Sequence, residues 1–291
     1  MIHTWPSPAK INLFLYVTGV RSDGYHYIQS LFQFLNYGDT LKIIPNKKGT
    51  IELFTGNNSL LNIKNSIITA AELLKEKALY YGRKKTSNFG AKIFLNKKIP
   101  IGSGLGGGSS NAATTLIVLN SLWKIKFTLK ELATLSLKIG SDIPAFIMGN
   151  TTIVEGIGEI LHPINRQEKW YLIVYPNLPI LTKDIFSSYS IKKNTTKKSI
   201  DFLLSSQFYN DFENTVKKKN KKIKKLISML SLYAPSRITG TGSCVFAEFN
   251  DEKSAQKIYS LLPYNVQGFI TKSVNISPLH RAFYKKNMQF F

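Results

Sequence analysis

The sequence predicts an α+β protein of two domains, and three observations support this prediction. Stretches with the two-residue period of strands and the 3.6-residue period of helices alternate irregularly, unlike the regular order of a parallel sheet. The chain has 291 residues, 43% of them hydrophobic, and is long enough for two modest cores. A segment around Pro163–Glu168 separates the two regions, so residues 1–163 and 164–291 are expected to form one domain each.

The first predicted element is a strand over residues 9–17, which places apolar residues on one face and Lys10 and Asn12 on the other. Ser22-Asp23-Gly24 then predicts a turn. Further along, the periods favour strands at 41–44, 51–54 and 92–95, and helices at 65–81, 111–122 and 129–138. After residue 163 they favour strands at 170–175, 236–239, 244–249 and 267–272, and helices at about 211–232 and 252–261.

The most informative segment is residues 100–123, where a glycine-rich loop leads into an apolar helix. Glycine lets a bulky anion approach the main chain, and a helix start offers N–H groups with partial positive charge. Such a loop typically holds phosphate, whereas a flexible linker rarely leads into a run as apolar as 112–122. The Walker A pattern is excluded because no Gly-Lys-Ser/Thr closes the loop. A dinucleotide fold is disfavoured because Glu131 begins a predicted helix instead of ending a strand.

The charge of the chain is strongly positive, with 39 Lys and Arg against 17 Asp and Glu, or +22. Such a balance suggests a nucleic-acid-binding protein. However, the densest lysine run, at 217–225, overlaps apolar residues at helical spacing, so its lysines are expected on the solvated face of an amphipathic helix. The positive potential would still favour an anionic substrate.

Cysteine and histidine content limits the chemistry further. Cys244 is the single cysteine and the four histidines show no metal-ligand spacing, so neither a disulfide nor a cysteine-based metal site is expected. No secretory signal pattern and no apolar run of membrane-spanning length is visible. These features predict a cytoplasmic protein without a membrane partner, and both a monomer and a homodimer remain open.

Three motifs together carry a resemblance to a known family. They are Pro8-Ala9-Lys10-Ile11-Asn12-Leu13 with Gly24-Tyr25-His26, the loop from Pro100 to Ala113, and Thr239-Gly240-Thr241-Gly242-Ser243. In this combination, and over nearly its whole length, the chain resembles the GHMP kinases, named for galactokinase, homoserine kinase, mevalonate kinase and phosphomevalonate kinase. The resemblance implies an N-terminal domain like ribosomal protein S5 domain 2, a ferredoxin-like C-terminal domain and an active site in the cleft between them.

The resemblance also implies a reaction, in which the γ-phosphate of ATP is transferred to an alcohol in the presence of Mg²⁺. Within the family the likeness is to members of the non-mevalonate isoprenoid pathway, whose acceptor is the 2-hydroxyl of a methylerythritol linked to cytidine diphosphate. Mevalonate- and homoserine-type kinases are the alternatives. A basic nucleic-acid-binding protein would leave the glycine-rich loop without a purpose, so no nucleic acid is expected. A degenerate kinase kept as a binding module is the last alternative.

The family's catalytic aspartate corresponds to Asp142, which would take the proton of the attacking alcohol. From local sequence alone, Asp142 is equally well a first-turn acid of a helix over 143–148. The resemblance makes Lys10 its partner, stabilising charge on the alcohol or the phosphoryl group. Asn12 would reach a substrate hydroxyl or phosphate, or would be a satisfied polar residue of the strand.

The same resemblance implies the binding residues. Tyr25 and Phe186 would stack on cytosine while His26 hydrogen-bonds its edge; an exposed loop pair and a core phenylalanine are the alternatives. Gly240 and Gly242 would line the cleft, and Asn65 would contact adenine or cap a helix. No metal ligand is identified beyond Ser109 or Ser110 near Mg²⁺. The ATP phosphates are assigned to Pro100, Ile101, Gly102, Ser103, Gly104, Leu105, Gly106, Gly107, Gly108, Ser109 and Ser110.

Overall fold

Strands and helices alternate irregularly in the computed structural model, which describes residues 4–56, 65–82, 88–186 and 194–286. The first half contains β1 (Thr4–Val20), β2 (His26–Asn46), β3 (Ile51–Thr55), α1 (Ser66–Tyr80), β4 (Gly90–Asn96), α2 (Gly107–Leu122), α3 (Leu129–Ser136), α4 (Ile143–Met148), β5 (Thr152–Gly156) and β6 (Ile160–Pro163). The second half contains β7 (Trp170–Tyr175), α5 (Thr182–Phe186), α6 (Ile200–Ser205), α7 (Glu213–Lys219), α8 (Lys221–Leu230), β8 (Ser236–Ile238), β9 (Val245–Phe249), α9 (Glu252–Tyr259), β10 (Gln267–Val274) and α10 (Pro278–Lys285).

One sheet joins these strands in the order β3-β4-β2-β10-β7-β9-β8, with β1 and β5 also paired to β2, and β6 paired to β5. The pairing of β3 with β4 is parallel, and the other pairings are antiparallel. β10 connects the two halves because it pairs with β2 through Ser273 and Val274 and with β7 over residues 267–272.

β1 and β2 form a long antiparallel hairpin whose register shifts just before Lys10 and just after Asn12. Such irregularities bend a strand and redirect its side chains. Here they also free main-chain groups for other elements. Lys10 N donates to the Leu105 carbonyl and Leu15 N to the Tyr209 carbonyl, each at 3.0 Å. β1 is thereby fixed to both halves of the chain.

Clusters of buried apolar side chains hold the layers together. One lies between the first-half strands and α1–α4, a second lies between the second-half strands and α7–α9, and a third surrounds β1, β7 and β9. Leu279 and Phe283 of α10 belong to the first of these clusters. The last helix therefore packs on the first core although it follows residue 163, and the domain boundary stays a prediction.

Most elements expected from the sequence are present with altered ends, but the helix expected over 211–232 is two helices. The chain is extended at Asn220, with φ −135° and ψ 95°, which separates α7 from α8. On α8 the lysines are exposed, and the buried residues are Ile223, Leu226, Ile227 and Leu230, which confirms the amphipathic interpretation. The sequence pattern does not indicate β5, β6, α5 or α6, because elements of four to six residues show few periods. It also does not indicate α10 or residues 26–40 of β2, where an unbroken buried stretch over 29–35 hides the alternation of a strand. In the described ranges, no helix is long and apolar enough to cross a membrane.

Candidate active site

A cleft of about 930 Å³ opens between the glycine-rich loop, the β1–β2 hairpin and the second half of the chain. Its lining brings together most of the predicted site residues, which are distant in sequence: Lys10, Asn12, Tyr25, His26, Asn65, Pro100, Ile101, Gly102, Ser103, Gly104, Gly106, Gly107, Gly108, Ser109, Asp142 and Gly240. Of the predicted residues whose side chains the structure describes, Leu105, Ser110 and Gly242 lie outside this lining.

Lys10 and Asp142 form an ion pair in the cleft, with Lys10 Nζ 3.3 Å from Asp142 Oδ2. The two side chains differ in exposure, at 4% for Lys10 and 40% for Asp142. The lysine is buried because β1 runs through the core, between the fully buried Ala9 and Ile11. The carboxylate can therefore receive a hydrogen bond from a ligand while it keeps the lysine as its partner.

α4 begins directly after Asp142, as the local sequence suggests. Asp142 occupies the N-cap position, but its side chain accepts no capping hydrogen bond. Thr128 shows the contrast, since it caps α3 through a complete capping box with Glu131. The Asp142 carboxylate thus pairs with Lys10 and does not serve α4 as a cap.

Asn12 links Lys10 to the neighbouring strand. Its Oδ1 accepts a hydrogen bond from Lys10 Nζ, and its Nδ2 donates to Ser30 Oγ at 2.8 Å. The main-chain N of Asn12 donates to Thr239 Oγ1 at 3.0 Å. The amide is 4% exposed and has partners on both sides, so it is a satisfied strand residue that also lines the cleft.

The glycine-rich loop is held by main-chain hydrogen bonds to the second half of the chain. The Gly102 carbonyl accepts from Ile180 N and the Ser103 carbonyl accepts from Cys244 N, each at 3.0 Å. α2 starts at Gly107, so its first amides have no intrahelical partner. A fixed loop that ends on such amides suits a bound phosphate.

Two glycines of this loop are required by the backbone and by space. Gly104 has φ 78°, and a methyl group there would overlap the Thr239 carbonyl and lie 2.8 Å from the Gly242 carbonyl oxygen. Gly106 has φ 73°, and a methyl group there would lie 2.9 Å from the Phe146 ring. L residues rarely adopt these angles, so glycine lets the two glycine turns pack against each other. Gly242 thus lies against the loop and outside the cleft lining.

Ser109 and Ser110 have different surroundings. Ser109 lines the cleft, and a methyl group on Gly140 would lie 4.0 Å from its Oγ, close to the turn that leads to Asp142. Ser110 is 1% exposed, and Leu105 is fully buried in a core cluster. Of the two hydroxyls, that of Ser109 faces the cleft.

Tyr25 and His26 follow the turn of the β1–β2 hairpin. Gly24 has φ 87° and Asp23 Oδ1 accepts from Tyr25 N at 3.2 Å, which confirms the predicted turn. The Tyr25 side chain is 57% exposed at the cleft, so its ring is available for stacking. Phe186 is the last residue of α5, and its side chain lies outside the described part of the chain.

Asn65 and Gly240 lie on different walls of the cleft. Asn65 Oδ1 accepts from Ile67 N at 2.9 Å and so caps α1, the structural alternative, while the residue also lines the cleft. Ser66 Oγ donates to the Gly108 carbonyl at 2.9 Å, which ties α1 to the loop. A methyl group on Gly240 would lie 3.3 Å from Asn12 Oδ1, so this glycine faces the Lys10 side of the cleft.

Sequence reasoning misses Lys97, which also lines the cleft. Its Nζ donates to Asp39 Oδ2 at 2.7 Å and to the Ile99 carbonyl at 2.5 Å. Burial lowers the pKa of Lys97, and the neighbouring Asp39 carboxylate opposes this effect. The sequence pattern also gives no indication that the Thr182 and Thr241 hydroxyls lie at the cleft, where they are 3.3 Å apart on the wall formed by the second half of the chain. Lysine is abundant in this chain, and a threonine hydroxyl by itself does not indicate a binding site.

The chain matches two family models, those of the GHMP kinases N terminal domain over residues 65–150 and the GHMP kinases C terminal over residues 191–265. It belongs to the GHMP kinase family and is an ATP-dependent small-molecule kinase. It is 84% identical, over 100% of both chains, to a protein of Buchnera aphidicola subsp. Schizaphis graminum (strain Sg) named 4-diphosphocytidyl-2-C-methyl-D-erythritol kinase. A protein of the same name from Buchnera aphidicola subsp. Acyrthosiphon pisum (strain APS) is 65% identical over 98% of this chain and 100% of its own length.

Solved structures agree with this family at the level of the fold. A crystal structure of 4-(cytidine 5'-diphospho)-2C-methyl-D-erythritol kinase superposes with a TM-score of 0.78 at 24% identity, covering 93% of this chain and 99% of that one. The Methanococcus jannaschii mevalonate kinase superposes with a TM-score of 0.62 at 20% identity, covering 94% and 98%. These matches confirm the expected two-domain GHMP kinase fold.

Proposed function

We propose that this chain transfers the γ-phosphate of ATP to the 2-hydroxyl of 4-diphosphocytidyl-2-C-methyl-D-erythritol, a step of the non-mevalonate isoprenoid pathway. The observation that carries the proposal is the Lys10–Asp142 pair at 3.3 Å, in the cleft that the glycine-rich loop also lines. The names of the 84% and 65% identical relatives support this choice of substrate.

In this reaction Asp142 accepts a hydrogen bond from the acceptor alcohol and takes its proton as the oxygen attacks phosphorus. Lys10 donates toward Asp142 and Asn12, and its positive charge stabilises the negative charge that develops during transfer. Positioning contributes most of the catalysis of phosphoryl transfer. The buried lysine stem and the anchored loop therefore matter as much as the proton acceptor.

Tyr25 and His26 would bind the cytosine of the acceptor. The 57% exposed Tyr25 ring can stack on a base, an interaction that contributes about 1–3 kcal/mol per base. Phe186 is proposed for the other face of the base, on the resemblance alone. Gly240 and Asn12 would contact the methylerythritol side of the acceptor, next to Lys10.

The ATP phosphates would bind at the loop over residues 102–109 and the start of α2, with adenine toward Asn65. The described residues include no group of three or more His, Cys, Asp or Glu that could hold a metal ion by themselves. This fits Mg²⁺ that is bound with ATP, because Mg²⁺ usually keeps waters and uses one or two carboxylates plus phosphate oxygens. The Asp142 carboxylate and the Ser109 hydroxyl are the side-chain oxygens near the loop that would be available to it. Bound Mg²⁺ would neutralise phosphate charge.

The test is transfer of phosphate from ATP-Mg to the cytidylyl substrate, measured beside mevalonate and homoserine, with Asp142→Ala as the control. We expect turnover of the cytidylyl substrate alone and its loss in the variant. Turnover of mevalonate or homoserine instead would contradict the assignment of Tyr25 and Phe186 to base stacking, but it would still show that the protein is a kinase. If the folded protein phosphorylates none of them, the binding-module alternative is favoured.

A further inference from the structure

Ser30 is a fully buried residue of β2 that the reaction proposed above does not use. Its hydroxyl accepts from Asn12 Nδ2 at 2.8 Å and donates to the Phe14 carbonyl at 2.7 Å. Asn12 Oδ1 accepts from Lys10 Nζ, and Lys10 Nζ pairs with Asp142 at 3.3 Å. A continuous chain of polar contacts thus leads from the Phe14 carbonyl to the Asp142 carboxylate.

The donors and acceptors in this series of contacts fix the direction of every hydrogen bond in it. An ammonium group only donates, so Asn12 must turn its carbonyl oxygen toward Lys10 and its NH₂ group toward Ser30. A main-chain carbonyl only accepts, so the Ser30 hydrogen points to Phe14 and a lone pair remains for Asn12. Ser30 is 0% and Asn12 is 4% exposed, so water is a poor substitute for either partner.

We propose that Ser30 is a positioning residue, which fixes the orientation of the Asn12 amide and, through it, the position of Lys10. Without the Ser30 hydroxyl the Asn12 NH₂ group loses its acceptor, and only the contact with Lys10 still orients the amide. A buried NH₂ group without an acceptor would draw the amide toward another one, so the Asn12 oxygen would move and Lys10 would shift relative to Asp142. The inference rests on the proposed function, because the role it assigns is a role in that reaction.

The test is steady-state kinetics of the full chain carrying Ser30→Ala, with ATP-Mg and the cytidylyl substrate. We expect kcat to fall by about tenfold to a hundredfold, the cost of misplacing a reacting group by about 1 Å. Ser30→Thr keeps a hydroxyl and should retain kcat within about threefold. Ser136→Ala is the matched control, because Ser136 is also fully buried but its hydroxyl donates to a carbonyl of its own helix, that of Ala133, at 2.7 Å.

A double-mutant cycle separates positioning from a general structural effect. If Ser30 acts through Asn12, then adding Ser30→Ala to Asn12→Ala should change kcat by less than about twofold. An equal loss in both backgrounds, or a Ser30→Ala variant with wild-type kcat, would overturn the inference. If the extra methyl group of Ser30→Thr lowers the melting temperature, that variant is set aside and the double-mutant cycle decides whether Ser30 acts through Asn12.

A second measurement does not depend on the substrate. In ¹⁵N-labelled wild-type protein the side-chain NH₂ protons of Asn12 should exchange slowly with water, and in Ser30→Ala they should exchange quickly. Fast exchange in the wild type would overturn the inference even if the enzyme is active. Slow exchange in an enzyme that is inactive on the cytidylyl substrate would contradict the proposed function and leave the Ser30–Asn12 contact supported.

Discussion

Two lysine–aspartate pairs border the same cleft, and they differ in which partner is buried. In the Lys97–Asp39 pair, at 2.7 Å, the carboxylate is 0% exposed and the lysine 17%. In the Lys10–Asp142 pair, at 3.3 Å, the lysine is 4% exposed and the carboxylate 40%. The open carboxylate belongs to the pair that is proposed to act in the reaction.

The main-chain surroundings of the two carboxylates explain this difference. Asp39 Oδ1 accepts from Lys98 N and Ile99 N, each at 2.7 Å, so it holds the segment that leads into the glycine-rich loop. Asp142 accepts no capping hydrogen bond from α4. A carboxylate that main-chain donors satisfy is a structural anchor, whereas one that pairs with a side chain and faces a cleft is open to a substrate.

Asp142→Asn should cause the largest change in activity. The amide keeps the shape of the side chain but cannot take the proton, so kcat should fall by about 10²- to 10⁴-fold. The free energy of unfolding should fall by about 1–2 kcal/mol, because the 4% exposed Lys10 loses its counterion but can still donate to the new amide oxygen and to Asn12. ADP formation and urea denaturation measure the two quantities. A variant that keeps most of the wild-type kcat would contradict the role of Asp142 as proton acceptor.

Asp39→Asn should show the reverse pattern. It removes the charge of a fully buried carboxylate and leaves the Lys97 ammonium without its counterion. Removing one partner of a buried pair costs about 3–5 kcal/mol, and we expect the lower end because Lys97 keeps 17% exposure. Urea denaturation measures this loss, and kcat of the folded enzyme should stay within about tenfold of wild type. Full stability with lost activity would mean that both pairs serve catalysis.

The sequence identifies one of these pairs and not the other, for a physical reason. Lys10 lies in one of the motifs that carry the family resemblance, and the same resemblance gives Asp142 the position of the catalytic aspartate. Asp39 and Lys97 are 58 residues apart, and they meet because β2 pairs with β4 in a register that aligns Thr40 with Asn96. Register is a property of the folded sheet, so contacts of this kind cannot be predicted from local pattern.

Prediction of the fold from the sequence is limited in the same way. Periodicity predicts many of the strand and helix positions, including the Trp170–Tyr175 strand, whose bounds are confirmed. It does not predict that Asn220 interrupts a continuous amphipathic pattern, because α7 and α8 both bury residues in the second-half core. It also does not predict that α10 returns to the first-half core. Both features depend on tertiary packing.

The pH dependence of stability offers a test away from both pairs. Burial lowers the pKa of His280 to about 4, from an ordinary value of 6.5. As the pH falls, His280 therefore takes up a proton in the unfolded chain before it does so in the folded protein. The contribution of His280 to the free energy of unfolding is thus complete above pH 6.5 and is lost as the pH falls toward 4. At pH 5 the loss should reach about 2 kcal/mol.

Urea denaturation at pH 8 and pH 5 measures this loss, with His280→Gln as the comparison. In the variant, the free energy of unfolding should fall by about 2 kcal/mol less between pH 8 and pH 5 than in the wild type, whatever the absolute stability of the variant. Contributions from all other groups are shared by the two proteins and cancel in the comparison. Identical pH dependence in the two proteins would contradict the buried neutral state of His280.

Tyr25→Leu should have the smallest effect, and it tests whether the acceptor end of the cleft works independently of the two pairs. The ring is 57% exposed and lies 5.9 Å from the Arg21 guanidinium, so the folded protein loses little without it. Loss of stacking should raise KM for the cytidylyl acceptor by about five- to tenfold, the low end for base stacking, and leave KM for ATP unchanged. Tyr25→Phe keeps the ring and should keep the wild-type KM. An equal rise of both KM values would mean that the hairpin turn shapes the whole cleft and does not bind the base.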